Sequence, residues 1–263
     1  MKDLGLVSVI TSAYNCAPFI GKTIESIQAQ TYPNWELLIT DDCSTDDTVA
    51  VIERYAKTDR RIKLFKMKRN SGPAVVRNNS ISKANGRFIA FCDSDDRWRP
   101  EKLERQLRFM TDKDCGLSYT SYECIDEHDN INGYVEAKPK IGFRQILRDN
   151  GIGCLTAMYD TEKVGKEFMP LIKKRQDWGL WIKLIRQYGT AYGLREPLSL
   201  YRKRSNSVSA KKLELIKYNF KVYHKVVGYN ALKSAGLLGF YFMPYYFYKK
   251  FRQRREFQKR KKK

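Results

Sequence analysis

The stretch FIAFCDSDD, residues 88–96, places three carboxylates directly after an apolar run. Residues 88–92 carry no charge, which is typical of a strand buried on both faces. Asp93, Asp95 and Asp96 follow within four positions, and carboxylates this close repel one another unless a cation neutralises them. The stretch therefore predicts a core strand ending in a cation-binding loop. A solvated loop that caps the next helix is the alternative.

Short apolar runs and amphipathic helical patterns alternate along the first hundred residues. The predicted strands are 7–11, 35–40, 61–65 and 87–92, and the predicted helices are 18–30, 44–57, 73–85 and one that opens at Pro100. Alternation of this kind predicts an α/β fold with a mostly parallel sheet flanked by helices.

Three of the predicted strands end in unusual polar chemistry, at Ser12–Asn15, Asp41–Ser44 and Asp93–Asp96. Ligands of parallel sheets bind beyond the carboxyl ends of the strands, so three such ends predict one shared cleft. Ser44 or Thr45 is also expected to cap the helix that follows.

The middle of the chain is less regular. We expect strands at 117–125, 131–136, 154–159 and 198–202, and a helix at 175–188. Trp181 is predicted to be a core residue of that helix, whereas the pattern leaves the place of Trp178 open.

The net charge of +21 comes from 50 Lys and Arg against 29 Asp and Glu. Residues 211–263 hold 16 of the basic and two of the acidic residues, a net +14. The basic surplus is therefore concentrated in the last fifth of the chain, where a polyanionic partner would bind.

Six scattered cysteines lack a C-x-x-C pair, and the two histidines have no ligand-spaced neighbour. We expect free thiols in a reducing compartment and no zinc site. The first fifteen residues lack the long apolar stretch of a signal peptide.

The C-terminal segment pairs an aromatic run with a polybasic end. Residues 234–248 are uncharged and include Gly236, Gly239 and Pro244. This run is shorter than the ~20 residues that span a bilayer. Tyrosines suit the lipid–water interface, and the following basic residues suit anionic headgroups. We expect a monotopic anchor; a helix folded onto the preceding domain is the alternative, and nucleic acid is not an expected partner.

Together, VSVITSAYN, DDCSTDDT and NSGPAVVRNNSISKANGRFIAFCDSDD, in this order, resemble a family 2 glycosyltransferase of the GT-A (Rossmann-like) fold, of the bacterial surface-polysaccharide type. The resemblance covers about residues 5–210. It implies an inverting enzyme with a nucleotide-sugar donor, most often a UDP-sugar, and a Mn²⁺ or Mg²⁺ ion.

The resemblance also implies roles for particular residues. The donor nucleotide would be bound by Ser12, Tyr14, Asp42, Arg77 and Asp93. The metal would be held by Asp95, with Asp93 beside it.

In the same family the catalytic base is an aspartate at the start of a later helix, which maps onto Asp177; a helix cap is its alternative role. The family's usual Glu before this base is Gln176 here. Cys43 stands where Gly is typical. Arg204 takes the place of a common His, so Arg202 or Arg204 is expected to contact the diphosphate as a fixed cation.

We therefore expect a GT-A catalytic domain at 1–210, with a nucleotide-sugar half at about 1–100 and an acceptor half at about 101–210. A helical, basic extension would follow at 211–263. The expected activity is transfer of a hexose or N-acetylhexosamine to a lipid-linked saccharide or another polysaccharide precursor. The enzyme would be cytoplasmic and peripheral on the inner face of the cell membrane. The alternatives are a metal-dependent nucleotidyltransferase and a non-enzymatic basic module that binds nucleic acid or membrane.

Overall fold

The computed structural model of the protein describes residues 3–204 and 212–248. Within these ranges ten strands form one sheet, in the order β3-β2-β1-β4-β9-β6-β10-β5, with β7 beside β6 and β8 beside β10. The strands are β1 (Val7–Ala13), β2 (Trp35–Asp41), β3 (Ile62–Lys66), β4 (Phe88–Phe91), β5 (Arg97–Trp98), β6 (Leu117–Ile125), β7 (Ile131–Val135), β8 (Lys140–Ile141), β9 (Met158–Asp160) and β10 (Ala191–Arg202).

Helices cover both faces of this sheet. They are α1 (Ala17–Gln28), α2 (Thr48–Thr58), α3 (Pro73–Ser82), α4 (Lys102–Asp112), α5 (Phe143–Arg148), α6 (Thr161–Val164), α7 (Gln176–Tyr188), α8 (Lys212–Lys221) and α9 (Ala231–Gly236). The π-helical stretches Val222–Val226 and Leu237–Phe242 continue α8 and α9, and 243–248 are again α-helical. The predicted α/β fold, with a C-terminal helical extension, is confirmed.

Strands β3, β2, β1 and β4 are mutually parallel, as the alternation predicts. Alternate residues of β1 point to opposite faces: Val7 and Val9 pack toward α1, whereas Ile10 packs on the opposite side. Both faces of these strands are apolar because helices cover the sheet on each side. The carboxyl ends of β1, β2 and β4 therefore open at one edge of the sheet.

Three predicted elements differ from the observed ones by more than three residues at one end. Helix α2 begins at Thr48 rather than Ser44, and neither Ser44 nor Thr45 caps it. The Ser44 hydroxyl instead donates to Asp41 and accepts the Asn15 N–H, so the turn competes with the helix for this side chain.

The expected strand at 154–159 is also shorter than predicted. Cys154–Thr156 form a 3₁₀ turn, in which the Thr156 hydroxyl bonds the Gly153 carbonyl, and the strand occupies only Met158–Asp160. The strand expected at 198–202 extends back to Ala191, because its first half pairs with β6 and β8.

The described part of the C-terminal segment packs on α7. Trp178 is fully buried, and its ring lies 5.7 Å from that of Tyr223 and 5.8 Å from that of Phe242. The Tyr223 hydroxyl donates to the Leu147 carbonyl at 2.5 Å. Trp181 is fully buried, as predicted, and Trp178 is a core residue as well.

The opposite face of the C-terminal helices is exposed and apolar. Leu232 is 85% exposed, Phe240 90% and Phe247 58%, with no charge between residues 234 and 248. No helix in the described ranges is long and apolar enough to cross a bilayer.

Candidate active site

The first two strand ends are tied together by a pair of hydrogen bonds. The Asn15 N–H donates to the Ser44 hydroxyl at 3.0 Å, and the Asn15 side-chain oxygen accepts the Thr45 N–H at 2.9 Å. Cys43, between them, has φ +64°, which explains why glycine suits this position. The two loops thereby form one rigid edge of a cavity.

Asp42 lies at the base of this edge and is 4% exposed. One carboxylate oxygen accepts the Ser71 N–H at 2.7 Å, and the other accepts the Gly72 N–H at 2.9 Å. These bonds fix the carboxylate ahead of α3. Each oxygen keeps a lone pair for a ligand, since a carboxylate can accept about four hydrogen bonds.

Two acids of the loop after β4 pair with arginines. Arg77, buried in α3, pairs with Asp93. Arg204 donates to an Asp95 carboxylate oxygen at 3.2 Å. Burial, together with the neighbouring Asp93, raises the pKa of Asp95, so its charged form is short of compensation.

Asp96 is the most enclosed of the three acids and is 1% exposed. One of its carboxylate oxygens accepts the backbone N–H of Arg202 at 2.8 Å, and the other is buried with no hydrogen-bond partner among residues 3–204 and 212–248. Burial and the two neighbouring acids raise the pKa of Asp96 well above its usual value. It therefore ties the loop to β10 rather than capping a helix.

Arg202 is a buried clamp, 2% exposed. Its guanidinium donates to the carbonyls of Asp95 (2.9 Å) and Asp126 (2.7 Å) and to the carboxylate of Asp129 (2.5 Å). The ring of Phe19 lies beneath both Arg202 and Arg204. Arg204 is the more exposed of the two cations, and its guanidinium faces the acids from the open side.

Asp177 lies in the first turn of α7 but does not cap it, since the helix is preceded by Arg175 in the N-cap position. An Asp177 carboxylate oxygen accepts a hydrogen bond from the Asn150 amide at 3.0 Å. Arg175 has a left-handed backbone, φ +67°, which is strained for a residue with a β-carbon. The backbone at the start of α7 thus places Asp177 where its side chain lines the cavities described next.

Two cavities meet at Asp177. The strand-end cavity, of about 690 Å³, is lined by all nine residues singled out in the sequence: Ser12, Tyr14, Asp42, Arg77, Asp93, Asp95, Asp177, Arg202 and Arg204. The tyrosine cavity, of about 870 Å³, is lined by Tyr122, Tyr134, Tyr201 and Tyr245 among others. Asp93, Cys154, Arg175, Asp177 and Tyr201 line both.

Sequence reasoning missed three residues of this region. Asn150 and Arg175 contact or adjoin Asp177, and Tyr245 brings the C-terminal helix into the wall of the tyrosine cavity. Arg175 adjoins the Gln176-Asp177 pair, which is its only sequence signal. Asn150 and Tyr245 carry none, because their partners are distant in the chain.

The carboxylates fit a divalent cation. No group of three or more His, Cys, Asp or Glu forms a metal cluster in the part of the chain that the structure describes. Asp93 and Asp95 supply two hard oxygen donors, which suits an ion whose coordination is completed by substrate phosphates and water.

Comparison with known proteins then decides the family. The model of Glycosyl transferase family 2 matches residues 8–198. The chain is a family 2 glycosyltransferase. Its enzyme class is therefore that of a glycosyltransferase, and the expected alternatives of a nucleotidyltransferase and a non-enzymatic module are not supported.

The glycosyltransferase has relatives of similar length. It is 40% identical to TuaG of Bacillus subtilis strain 168, whose name places it in teichuronic acid biosynthesis, over 88% of this chain and 92% of TuaG. It is 36% identical to WfgD of Escherichia coli, named as a UDP-Glc:α-D-GlcNAc-diphosphoundecaprenol β-1,3-glucosyltransferase, over 82% of this chain and 85% of WfgD.

Solved structures share the fold of the glycosyltransferase. TarS of S. aureus (residues 1–349, with UDP) superimposes with a TM-score of 0.67 at 21% identity, over 88% of this chain and 69% of that one. The mannosyltransferase PcManGT of Pyrobaculum calidifontis, with GDP-Man and Mn²⁺, gives a TM-score of 0.65 at 18% identity, over the same shares. The predicted GT-A fold is confirmed.

Proposed function

We propose that this glycosyltransferase moves a sugar, with inversion, from a UDP-sugar to a lipid-linked saccharide or another surface-glycan precursor. The observation that carries the proposal is the junction of two cavities at Asp177. One cavity holds the strand-end carboxylates and arginines, which suit a nucleotide diphosphate. The other is rich in tyrosines, whose rings suit a saccharide.

Asp177 is proposed as the general base. An acceptor hydroxyl in the tyrosine cavity would give its proton to the Asp177 carboxylate as its oxygen attacks the anomeric carbon. The bond from that carbon to the diphosphate breaks, and the nucleotide leaves in the strand-end cavity. A positioned base supplies roughly 10²–10⁴-fold in rate. The Asn150 amide holds the carboxylate in place.

The nucleotide is proposed to lie against the first two strand ends. The remaining lone pairs of Asp42 would accept the base N–H, and Ser12 and Tyr14 would complete the nucleoside site. Tyr14 is 50% exposed at the rim, which suits an aromatic face for the nucleobase. Arg77 would act through Asp93, which it holds toward the ribose.

Asp95 is proposed as the direct ligand of Mn²⁺ or Mg²⁺, because its partner Arg204 is partly exposed, whereas Asp93 is paired with the buried Arg77. When bound, the metal would neutralise charge that builds on the leaving diphosphate. Arg204 would contact the same diphosphate as a fixed cation, whereas Arg202, whose donors are engaged, would position the loop. The Mn²⁺ complex of PcManGT supports a divalent ion.

The relatives support the choice of donor and acceptor. WfgD is named for a UDP-glucose donor and a diphosphoundecaprenol-linked acceptor, and TarS has been solved with UDP and with UDP-GlcNAc. For this chain we propose a UDP-hexose or UDP-N-acetylhexosamine.

We also propose that residues 1–210 form the catalytic domain and that 211–263 associate with the cytoplasmic face of the membrane. The exposed apolar face at Leu232, Phe240 and Phe247 supports this assignment. Ten Lys or Arg and one Glu follow it, at 249–263. An apolar helix face beside a basic run suits an anionic bilayer surface.

The proposal is tested by a donor screen with the purified chain. UDP-sugars and GDP-sugars are incubated with Mn²⁺ and a lipid-linked saccharide, and glycosyl transfer is followed by mass spectrometry. We expect turnover with a UDP-sugar and inversion at the anomeric carbon. The variant Asp177→Asn should keep UDP affinity within about twofold and lose transfer by at least 10²-fold. Near-normal turnover of that variant would remove Asp177 from the mechanism.

A further inference from the structure

The tyrosine cavity extends from Asp177 to the C-terminal helix, which forms its far wall at Tyr245. The saccharide of an acceptor must lie at the Asp177 end, where the reacting hydroxyl is needed. The chemistry at the Tyr245 end then indicates what the saccharide is attached to.

Two cations contact Tyr245, and one of them, Lys138, also lines the cavity. Lys138 Nζ is 3.3 Å from the Tyr245 hydroxyl, and the Arg148 guanidinium stacks over the Tyr245 ring at 4.2 Å. Arg148 also lies 5.8 Å from the ring of Tyr241. The contacts of both cations in the described ranges are therefore with tyrosines, and neither cation forms an ion pair there.

Another cation of the cavity lining, Arg195, differs from both. Arg195 is paired with Glu136 at 2.5 Å, so its charge is compensated within the protein. By contrast, the Arg148 Nε is buried and has no hydrogen-bond partner among the described residues. A buried donor without an acceptor is costly, and an acceptor oxygen placed beside it would remove that cost.

The backbone at Lys138 is held in place. The Tyr119 hydroxyl donates to the Lys138 carbonyl at 2.7 Å, and the Gly193 N–H donates to the Pro139 carbonyl at 3.0 Å. A β-carbon at position 193 would lie 2.0 Å from the Lys138 oxygen, so only glycine allows this approach. Lys138 is thus presented from a fixed segment rather than from a loose loop.

We propose that Lys138, Arg148 and the Tyr245 hydroxyl bind the diphosphate of a lipid-diphosphate-linked saccharide acceptor. A stacked guanidinium keeps its N–H edge free for phosphate oxygens, and the tyrosine hydroxyl can donate as well. The lipid chain would leave beside Phe247, on the exposed apolar face two residues beyond Tyr245. This inference rests on the proposed function and locates the acceptor's phosphate within it.

The test uses two acceptors with the same saccharide, one on a short polyprenyl diphosphate and one on a neutral alkyl chain. In Lys138→Gln and Arg148→Gln, KM for the diphosphate acceptor should rise about tenfold each, whereas KM for the neutral acceptor should change less than twofold. Hydrolysis of the donor in the absence of acceptor should be unchanged. Lys140→Gln, which removes an exposed charge that neither lines the cavity nor stacks on Tyr245, is the matched control.

Equal losses with both acceptors, or no loss with either, would overturn the inference while leaving the proposed function intact. Absence of transfer to every lipid-linked saccharide, with donor hydrolysis retained, would instead contradict the proposed function. Thermal unfolding identifies any variant that has lost its fold, and Arg148→Lys, which keeps the charge, should restore part of the affinity if Arg148→Gln is unstable.

An inhibition experiment shows whether the site recognises the diphosphate group or the lipid chain of the acceptor. A sugar-free short polyprenyl diphosphate should inhibit competitively against the acceptor, and its inhibition constant should rise about tenfold in Lys138→Gln. Inorganic diphosphate should compete with the donor instead. Equal inhibition by the corresponding polyprenol would show that the lipid alone is recognised, and would contradict a phosphate site at Lys138.

Discussion

The amide of Asn150 donates a hydrogen bond to the carboxylate of Asp177 over 3.0 Å, across 27 positions of the chain. Because this amide is the described partner of the proposed base, it sets where the carboxylate points. We expect Asn150→Ala to lower kcat about tenfold with little change in UDP affinity. Asn150→Asp should lower it further, since a second carboxylate would repel the first. Unchanged kcat in both variants, measured under saturating substrates, would show that the bond does not orient the base.

Arg202 and Arg204 are expected to respond differently to the same substitution. Arg204→Gln should weaken UDP binding about tenfold and leave the melting temperature near that of the parent, because Arg204 lies at the open side of the acids. Arg202→Gln should lower the melting temperature, since it removes a buried donor from two carbonyls and one of the cations that pair with Asp129. Calorimetry measures the UDP affinity of each variant, and thermal unfolding measures its melting temperature. Equal losses of affinity at equal stability would contradict the division.

Asp95 is expected to make UDP binding metal-dependent. In the parent, Mn²⁺ should increase UDP affinity, and in Asp95→Asn the affinity should be the same with and without Mn²⁺, because the amide cannot replace a charged oxygen ligand. Titration calorimetry in the presence of Mn²⁺ or a chelator measures both values. Asp112→Asn, at an exposed position of α4, is the matched control and should retain the metal effect. A retained metal effect in Asp95→Asn would exclude Asp95 as the ligand.

Lys102 should make stability depend on pH. It is fully buried, with Nζ 2.6 Å from the Gln106 side-chain oxygen and 4.2 Å from the centre of the Trp98 ring. Burial lowers the pKa of Lys102 from 10.5 to about 7. Between these values the unfolded chain binds one more proton than the folded chain. Stability therefore rises with pH in this window, by up to about 1.4 kcal/mol per pH unit.

The matching variant is Lys102→Met, which keeps the volume and removes the titration. Urea unfolding at pH 7 and pH 9 should show the parent gaining up to about 3 kcal/mol relative to the variant. Other titrating groups are common to both proteins and cancel in the difference. If the free energy of unfolding changed equally with pH in the parent and in Lys102→Met, Lys102 would not be the source of the pH dependence.

The exposed apolar face of the C-terminal helices is expected to bind anionic vesicles. The double variant Leu232→Ser/Phe240→Ser should bind vesicles with anionic headgroups at least tenfold more weakly in flotation assays, because it removes two side chains that would enter the bilayer interface. Leu171→Ser, at a residue 75% exposed elsewhere on the surface, should bind like the parent. Equal vesicle binding by all three proteins would show that this face does not contact lipid.

The sequence predicts most of the fold because the first hundred residues follow simple local rules. Strands buried on both faces, such as β1 and β4, are uncharged, and Pro18, Pro73 and Pro100 lie within two residues of the starts of helices. The start of α2 is missed because Ser44, a good cap in isolation, bonds Asn15 and Asp41 instead. Such competition depends on a loop 29 positions earlier, which a local pattern does not contain.

The sequence predicts the residues of the candidate site only where several of them are neighbours in the chain. The three acids after β4 form such a run, and two of them, Asp93 and Asp95, line one cavity with Asp42, Arg77 and Asp177. The role of Arg202 cannot be predicted in this way, because its partners are not its neighbours in the chain. Its partner Asp129 is 73 positions away, so a burial of 98% and a full set of acceptors emerge only from the folded chain. The roles of these residues remain predictions.

The left-handed backbone of Arg175 implies that thermal stability and catalytic turnover favour different residues at this position. Glycine adopts this conformation freely, so Arg175→Gly should relieve about 1 kcal/mol of strain. It would also remove the guanidinium that lies where the two cavities meet, two residues from Asp177. A library of variants sorted by heat resistance alone would therefore be enriched in glycine at this position, and a library sorted by glycan output would keep the arginine.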